Sequence, residues 1–314
     1  MRITILDDYQ NTALRIADWS SLTGRYEIET LPEHIADTNE LVARLASSRV
    51  VVAMRERTAF PREVLERLPE LKLLVSTGMH NVVIDVDAAR ELGIVVSGTG
   101  GSEGAVPELV FGMMIALGRG FVAEDNAVHA GGWQHTIGPG LHGSTLGIVG
   151  LGRLGSQVAT LARAFGMHVI AWSPNLTQDR ADQFGARAVG KRELFTASDF
   201  VTVHMPQAPG TLDIIGAEEL GWMPPHAYLI NTSRGPLVTE TALVEVLRAG
   251  RIAGAGLDVY DQEPLPLDHP LRGLKNALLL PHIGYVTESA YAVFYADAIE
   301  DITSFEAGTP IRLM

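Results

Sequence analysis

The stretch Thr145-Leu-Gly-Ile-Val-Gly-Leu-Gly-Arg-Leu-Gly155 decides how this chain is read. Leu146 to Val149 are short and apolar, the pattern of a buried strand. Gly150-Leu-Gly152-Arg-Leu-Gly155 follows as a G-x-G-x-x-G turn, and Ser156 to Phe165 continue as a helix. His168 to Trp172 supply a second strand, so the turn has the strand–turn–helix–strand context that a dinucleotide site requires. Gly150 permits the tight turn, Gly152 lets backbone approach a pyrophosphate, and Gly155 lets the helix pack on the strand. The helix N-terminus then offers free N–H groups and a positive dipole end to the phosphates. Arg153 and Leu154, inside the turn, count with the glycines as cofactor-side residues.

Outside this stretch, composition narrows the class. At 314 residues the chain is too long for one ordinary core and suits two domains. Apolar residues make up 46% and charged residues 19%, a soluble globular composition. The net charge of −13, with no offsetting basic cluster, argues against a nucleic-acid surface. No stretch reaches the roughly 18 apolar residues of a membrane helix. Met1-Arg-Ile-Thr-Ile-Leu6 reads as a strand that runs into Asp7-Asp8, not as a signal peptide. With no cysteine there is no disulfide, thiolate nucleophile or thiolate metal site, and the cytoplasm is the expected compartment.

Residues 1 to 98 alternate strand and helix. Strands are expected at Ile3–Leu6, Tyr26–Glu29, Val50–Ala53, Leu73–Ser76 and Ile94–Val96. Helices are expected at Asn39–Ala46 behind a Thr38 cap, at Pro61–Arg67, and at Val86–Leu92 before Gly93. This is one small parallel α/β domain. Two of its loops, Met54-Arg55-Glu56-Arg57-Thr58 and Thr77-Gly78-Met79-His80-Asn81, are placed to face a substrate, through Arg55, Gly78 and Met79. Gly98-Thr-Gly-Gly-Ser-Glu-Gly104 reads as a hinge. Val106 to His129 then form one long helical pattern, whose Met and Phe side chains suit either the core or a second subunit. Beyond the central strand, further strands are expected at Phe200–His204, Tyr228–Asn231, Ile252–Asp258 and Ala277–Leu280. A helix spans Thr239–Ala249, and a long final one, Tyr285 to Glu306, crosses back to the first domain.

Ligands of open α/β sheets bind at the carboxyl ends of the strands. Three segments bring polar groups there: Thr232-Ser233-Arg234-Gly235, Asp258-Val-Tyr-Asp-Gln-Glu263, and Pro281-His282-Ile283-Gly284. An α-carboxylate substrate wants a bidentate guanidinium, which Arg234 supplies. A ketone–alcohol interconversion wants one proton donor and acceptor near neutral pH, which His282 supplies. A carboxylate beside it, Glu263, would stabilise the imidazolium and raise its pKa.

Each residue also has a structural reading. Arg234 could pair at a sheet edge, Asp258 or Glu263 could serve as turn acids, and His282 could be a satisfied structural histidine. What favours chemistry is that they converge on the edge that holds the glycine turn. His204 reads as a cofactor-side wall and His80 as an outside candidate for substrate contact. The other histidines show no metal-ligand spacing, so no metal is expected.

These motifs resemble the D-isomer-specific 2-hydroxyacid dehydrogenase family, with its phosphoglycerate dehydrogenase-like and glyoxylate/hydroxypyruvate reductase-like members. The matching stretches are Gly147–Gly155, Ile230-Asn-Thr-Ser-Arg-Gly-Pro236, Gly256-Leu-Asp-Val-Tyr-Asp-Gln-Glu-Pro264 and Leu280-Pro-His-Ile-Gly284, and the likeness covers nearly the whole chain. It implies an α/β fold of two parallel-sheet domains. A flavodoxin-like substrate domain would span 1–98 plus 286–314, and a Rossmann dinucleotide-binding domain 99–285. It implies Arg234 as binder of the substrate carboxylate and carbonyl, His282 as acid/base with Glu263 as its partner, and Asp258 near the nicotinamide, while Thr232 counts among the cofactor-binding residues. It also implies a homodimer built through the cofactor domain, which favours an intersubunit role for Val106–His129. Ending at Met314, the chain is expected to lack the extra regulatory domain of longer phosphoglycerate dehydrogenases.

One position departs from the pattern. The acid expected at the end of the second strand, to bind the ribose 2′-OH, is replaced by Ser173. The expected cofactor is therefore NAD, with NADP open. The expected activity is hydride transfer between a nicotinamide cofactor and a small 2-keto or D-2-hydroxy acid, within a domain cleft that closes around the pair. The alternatives are a nicotinamide-sensing, co-repressor-like binding protein of the same fold and an S-adenosylmethionine methyltransferase.

Overall fold

Runs such as Val50-Val-Val-Ala53 are apolar throughout, which suits strands covered by helices on both faces. The computed structural model, which describes residues 1–314, places them in two parallel sheets belonging to two compact units. Met1–Glu103 together with Val286–Met314 make the first unit, and Gly104–Tyr285 the second.

The first unit holds β1 (Arg2–Ile5), β2 (Glu27–Thr30), β3 (Ser48–Ala53), β4 (Leu73–Ser76) and β5 (Val95–Gly98), in the order β2-β1-β3-β4-β5. All pairs are parallel, the flavodoxin-like arrangement. The central strands β1, β3 and β4 are almost wholly shielded from water, including the polar Thr4 of β1 beside the apolar runs of residues 50–53 and 73–75. The final helix, Glu288–Glu306, packs against β4 and the short helix Ala13–Ile16.

The second unit holds β6 (Thr145–Val149), β7 (His168–Trp172), β8 (Arg187–Ala188), β9 (Phe200–Val203), β10 (Tyr228–Asn231), β11 (Gly254–Leu257) and β12 (Ala277–Leu279). Their order, β12-β11-β10-β9-β6-β7-β8, reverses direction between β6 and β9. That is the Rossmann arrangement with one added edge strand, and the β6/β9 junction is its topological switch point.

Several local expectations change. The helix expected over Val106–His129 is two, Ala105–Gly118 and Phe121–His129, bent by 60°. Gly120 takes φ +64 between them, a left-handed conformation that ends the first helix. Phe111, Met113 and Met114 of the first are buried, whereas the second has no buried residue. The helix after the glycine turn begins at Arg153, not Ser156, because a helical N-terminus forms inside the motif itself. Asp37 rather than Thr38 caps Thr38–Leu45, its carboxylate accepting from the Glu40 N–H at 2.8 Å. Thr239 precedes Glu240–Arg248 without capping it, since its hydroxyl donates to Asp213 instead. The last helix starts only at Glu288, behind the Thr287 cap. The two-residue β8 and the helices Lys191–Ala197 and Ala217–Trp222 carry too little periodicity to be anticipated. No single helix is long and apolar enough to cross a membrane.

Candidate active site

Across the carboxyl edge of the seven-stranded sheet, the strand order sets out the site. Ser173 follows β7, the glycine turn follows β6, His204 follows β9, and Thr232 to Arg234 follow β10. Asp258 to Glu263 follow β11, and His282 lies three residues beyond β12.

The three glycines of the turn answer to different demands. Gly150 has φ +99, and a Cβ on it would lie 2.8 Å from the His204 carbonyl oxygen. The turn therefore touches the loop after β9 at the switch point. A Cβ on Gly155 would lie 2.1 Å from the Gly150 oxygen, so the helix can approach its own turn only with glycine there. A Cβ on Gly152 would meet no protein atom within 4 Å. No side chain caps the helix that starts at Arg153, so its leading N–H groups are left for an outside acceptor. Arg153 is exposed and Leu154 half-buried.

Two further features fit a dinucleotide at this edge. His204 Nδ1 and Thr232 Oγ1 are buried side-chain atoms with no hydrogen-bond partner, on neighbouring strand ends beside the turn. Buried polar atoms carry a cost unless something satisfies them. The other His204 nitrogen, Nε2, lies 2.9 Å from Thr202 Oγ1, and burial pushes the imidazole pKa down to about 4, so the ring is neutral at pH 7. A helix N-terminus open to phosphate and orphaned polar atoms beside the turn together suit a nicotinamide dinucleotide.

At the other end of the edge, His282 Nδ1 lies 2.6 Å from Glu263 Oε2. The second Glu263 oxygen accepts the Tyr260 N–H at 3.0 Å. Burial pushes this carboxyl up, but the bond and charge of His282, the Tyr260 N–H and the Arg234 charge outweigh it, holding Glu263 below its ordinary range. His282 has φ +54, a left-handed backbone conformation that a histidine adopts only at a cost. Asp258 compensates. Fully buried, it accepts the N–H of Ile283 at 2.7 Å and of Gly284 at 2.8 Å, the two residues after His282. Burial lifts the Asp258 carboxyl above its ordinary value despite these donors.

Arg234 is half-buried in a turn stitched to its neighbours. Asn231 Nδ2 donates to the Arg234 carbonyl at 2.9 Å, and Ser233 Oγ donates to the Met205 carbonyl at 2.6 Å. The guanidinium Nη1 donates to the Ser233 carbonyl at 2.7 Å. Two residues that sequence reasoning passed over hold this turn against the next strand. A Cβ on Gly235 would lie 2.1 Å from the Tyr260 carbonyl carbon, so Arg234 comes beside the Tyr260–Glu263 segment only because glycine follows it. The buried Tyr260 hydroxyl donates to the carbonyls of Leu257 and Leu280, tying the ends of β11 and β12. The Arg-Gly pair was the one available sequence signal.

In the first unit, Arg55, Gly78 and Met79 lie at the carboxyl ends of β3 and β4. Arg55 has φ +51, its N–H donates to Thr77 Oγ1 at 2.9 Å, and its Nη1 donates to the Thr77 carbonyl at 3.2 Å. Its Nε is 3.6 Å from the carboxylate of the half-buried Glu56. Gly78 has φ +100, and a Cβ there would lie 1.8 Å from Arg55 Nη1. The two loops thus interlock, with Met79 left 40% exposed and His80 exposed. Also unanticipated is a cluster at the β1/β3 junction. The buried Asp7 bonds His34 Nδ1 at 3.0 Å and Thr58 Oγ1 at 2.7 Å. No group of three or more His, Asp or Glu side chains in the chain could hold a metal ion.

Comparison with known proteins adds the family. The model for "D-isomer specific 2-hydroxyacid dehydrogenase, NAD binding domain" matches residues 111–284. The D-3-phosphoglycerate dehydrogenase of Synechocystis sp. is 38% identical over 264 residues, covering 83% of this chain and 48% of that one. The glyoxylate reductase of Thermococcus litoralis is 39% identical over 239 residues, 73% of this chain and 72% of that one. The crystal structure of a phosphoglycerate oxidoreductase from Vibrio cholerae superposes with a TM-score of 0.93 at 33% identity, over 98% of this chain and 99% of that one. The chain spans about half the length of the phosphoglycerate dehydrogenases it matches. With the matching NAD-binding domain covering the glycine turn, Arg234, Glu263 and His282, this chain belongs to the D-isomer-specific 2-hydroxyacid dehydrogenase family.

Proposed function

We propose that the chain is a nicotinamide-dependent oxidoreductase that interconverts a small 2-keto acid and the corresponding D-2-hydroxy acid. The observation that carries this reading is the His282–Glu263 pair, 2.6 Å apart on the sheet edge that also presents Arg234 and the glycine turn. Dinucleotide binding alone does not require such a pair, so its presence counts against a sensor of the same fold.

Gly150, Gly152, Arg153, Leu154 and Gly155 would hold the pyrophosphate at the helix N-terminus, and Ser173 the adenosine ribose. His204, Thr232 and Asp258 would line the nicotinamide side. The nicotinamide ring supplies the hydride chemistry when bound. Arg234 binds the substrate carboxylate and polarises the adjacent carbonyl. The ionised Glu263 can only accept at His282 Nδ1, so the proton available for transfer is on Nε2, which gives it to the carbonyl oxygen on reduction and takes it back on oxidation. Arg55, Gly78 and Met79 of the first unit, the substrate domain in this reading, would select the substrate's remaining atoms.

The reading includes a homodimer. Phe121, Val122 and Val128 on the helix Phe121–His129, with Trp133 and Ile137 beyond it, are each more than half exposed, an apolar set that a second copy would cover. Analytical ultracentrifugation of the wild type and of a Trp133→Ser, Ile137→Ser variant tests this, with a dimer and a monomer as the expected results.

Oxidation of NADH and NADPH by the purified protein, against a panel of 2-keto acids, tests the activity. The expected result is turnover of at least one keto acid, lost by orders of magnitude in His282→Ala with cofactor binding retained. Tight cofactor binding without turnover of any keto acid would favour the sensor.

A further inference from the structure

The end of β7 is where the second unit departs from the pattern its glycine turn announces. Trp172 ends the strand, and its carbonyl accepts the Gly150 N–H at 2.8 Å, so residue 173 stands directly beside the turn. A carboxylate at such a position binds a ribose 2′-hydroxyl and repels a 2′-phosphate. Here the residue is Ser173, half-buried, opening a turn that the Leu176 N–H closes onto the Ser173 carbonyl at 3.1 Å.

We propose that the ribose end of the cofactor site admits a 2′-phosphate, so that NADPH binds with a Kd no more than tenfold above that of NADH. This rests on the cofactor reading above and specifies which dinucleotides the site takes. Three features carry it. A serine hydroxyl hydrogen-bonds a ribose hydroxyl or a phosphate oxygen equally well, whereas a carboxylate serves only the first. No carboxylate replaces the missing one nearby, since residues 173–178 contain none. The first acid beyond them, Asp179, is an exposed residue at the start of the next short helix, and the following one, Asp182, already accepts from Gln178 at 2.6 Å. The exposed residues next to the turn along the chain are neutral or cationic, with Asn175 two residues after Ser173 and Arg153 one residue after Gly152.

The arrangement also limits the preference. Arg180, the nearest following cation, is committed, with its guanidinium over the Phe184 ring at 4.6 Å and its Nη1 bonded to Gln183 at 2.9 Å. The site lacks the repulsion that excludes NADP without a guanidinium dedicated to it, so it accepts both cofactors.

The test is direct binding of NADH and of NADPH, followed by cofactor fluorescence or calorimetry, for the wild type, Ser173→Ala and Ser173→Asp. The wild type should bind NADPH within the tenfold limit. Ser173→Ala removes the hydroxyl without adding charge and should also stay within it. Ser173→Asp, its folding checked by a far-UV circular dichroism spectrum and Tm like those of the wild type, should raise the NADPH-to-NADH Kd ratio at least ~10²-fold through like-charge repulsion at close range. A wild type that binds NADH well and NADPH more than tenfold worse overturns the proposal, as does a Ser173→Asp variant with an unchanged ratio. Failure of the wild type to bind either cofactor overturns the functional reading and this proposal with it.

Discussion

The Asp258 carboxylate and the Ile283 N–H are 2.7 Å apart, joining the end of β11 to the residue after His282. Since the second Asp258 oxygen takes the Gly284 N–H, this side chain has no lone oxygen facing outward from the pair. Its first effect is to hold His282 at φ +54, where the imidazole meets Glu263. An amide in its place can accept only one of the two N–H groups and turns a donor on the other. Asp258→Asn should therefore lose about 1–3 kcal/mol of stability, read as a lower Tm. It should also lower kcat more than it raises the KM for the keto acid, because the proton-transfer group moves while Arg234 stays.

Glu263→Gln tests the tautomer argument. The glutamine can still accept from the Tyr260 N–H, but it then offers a donor to His282 Nδ1, which favours the ring form with its proton on the wrong nitrogen. The expected loss in kcat is ~10²-fold or more, with cofactor affinity unchanged. Turnover within twofold of wild type would remove Glu263 from the mechanism.

The glycine turn yields a paired prediction. Gly152 has ordinary backbone angles and open space at its Cβ position, so Gly152→Ala should leave Tm nearly unchanged while weakening dinucleotide binding at least ~10-fold. Gly235→Ala should do the opposite, lowering Tm because its Cβ collides with the Tyr260 backbone, and raising the keto-acid KM through displacement of Arg234. Equal loss of stability in both variants would show that Gly152 also serves the protein's own packing.

His204 gives a pH dependence with a definite sign. Its folded pKa of about 4 lies below the ordinary 6.5, so the unfolded chain binds the extra proton first as pH falls. The neutral buried ring thus costs nothing above pH 6.5, and stability falls between 6.5 and about 4, where the loss levels off. The shift corresponds to about 3 kcal/mol at most. Denaturant unfolding from pH 7 to 4.5 should show a shallower decline in His204→Asn than in the wild type, whatever the absolute stability of the variant.

Much of the candidate site was legible because its signals are local. Each nominated residue of the second unit follows a short apolar run within a few positions, and parallel strands deliver such residues to one edge. What stayed hidden depends on pairs far apart in the chain. Gly235 meets Tyr260, Asp258 meets Ile283, and Asp7 meets His34 and Thr58. No periodicity encodes those partners, since each depends on which strands lie side by side. The break at Gly120 escaped for a different reason, because apolar residues continue at helical spacing on both sides of it.

By itself, then, the amino-acid order determined two parallel α/β sheets, a dinucleotide turn after β6, and an arginine, an acid and a histidine at strand ends. Strand-forming runs, glycine turns and helix-forming runs carry their own conformational preferences. Tertiary structure alone decided which glycines the protein's packing demands and which leaves room for a ligand. It also decided that Asp258 supports the backbone after His282, and that no residue of Phe121–His129 is buried within the chain. Those outcomes turn on distances between segments brought together by strand order, and a close approach between backbones exists only once the sheet has formed.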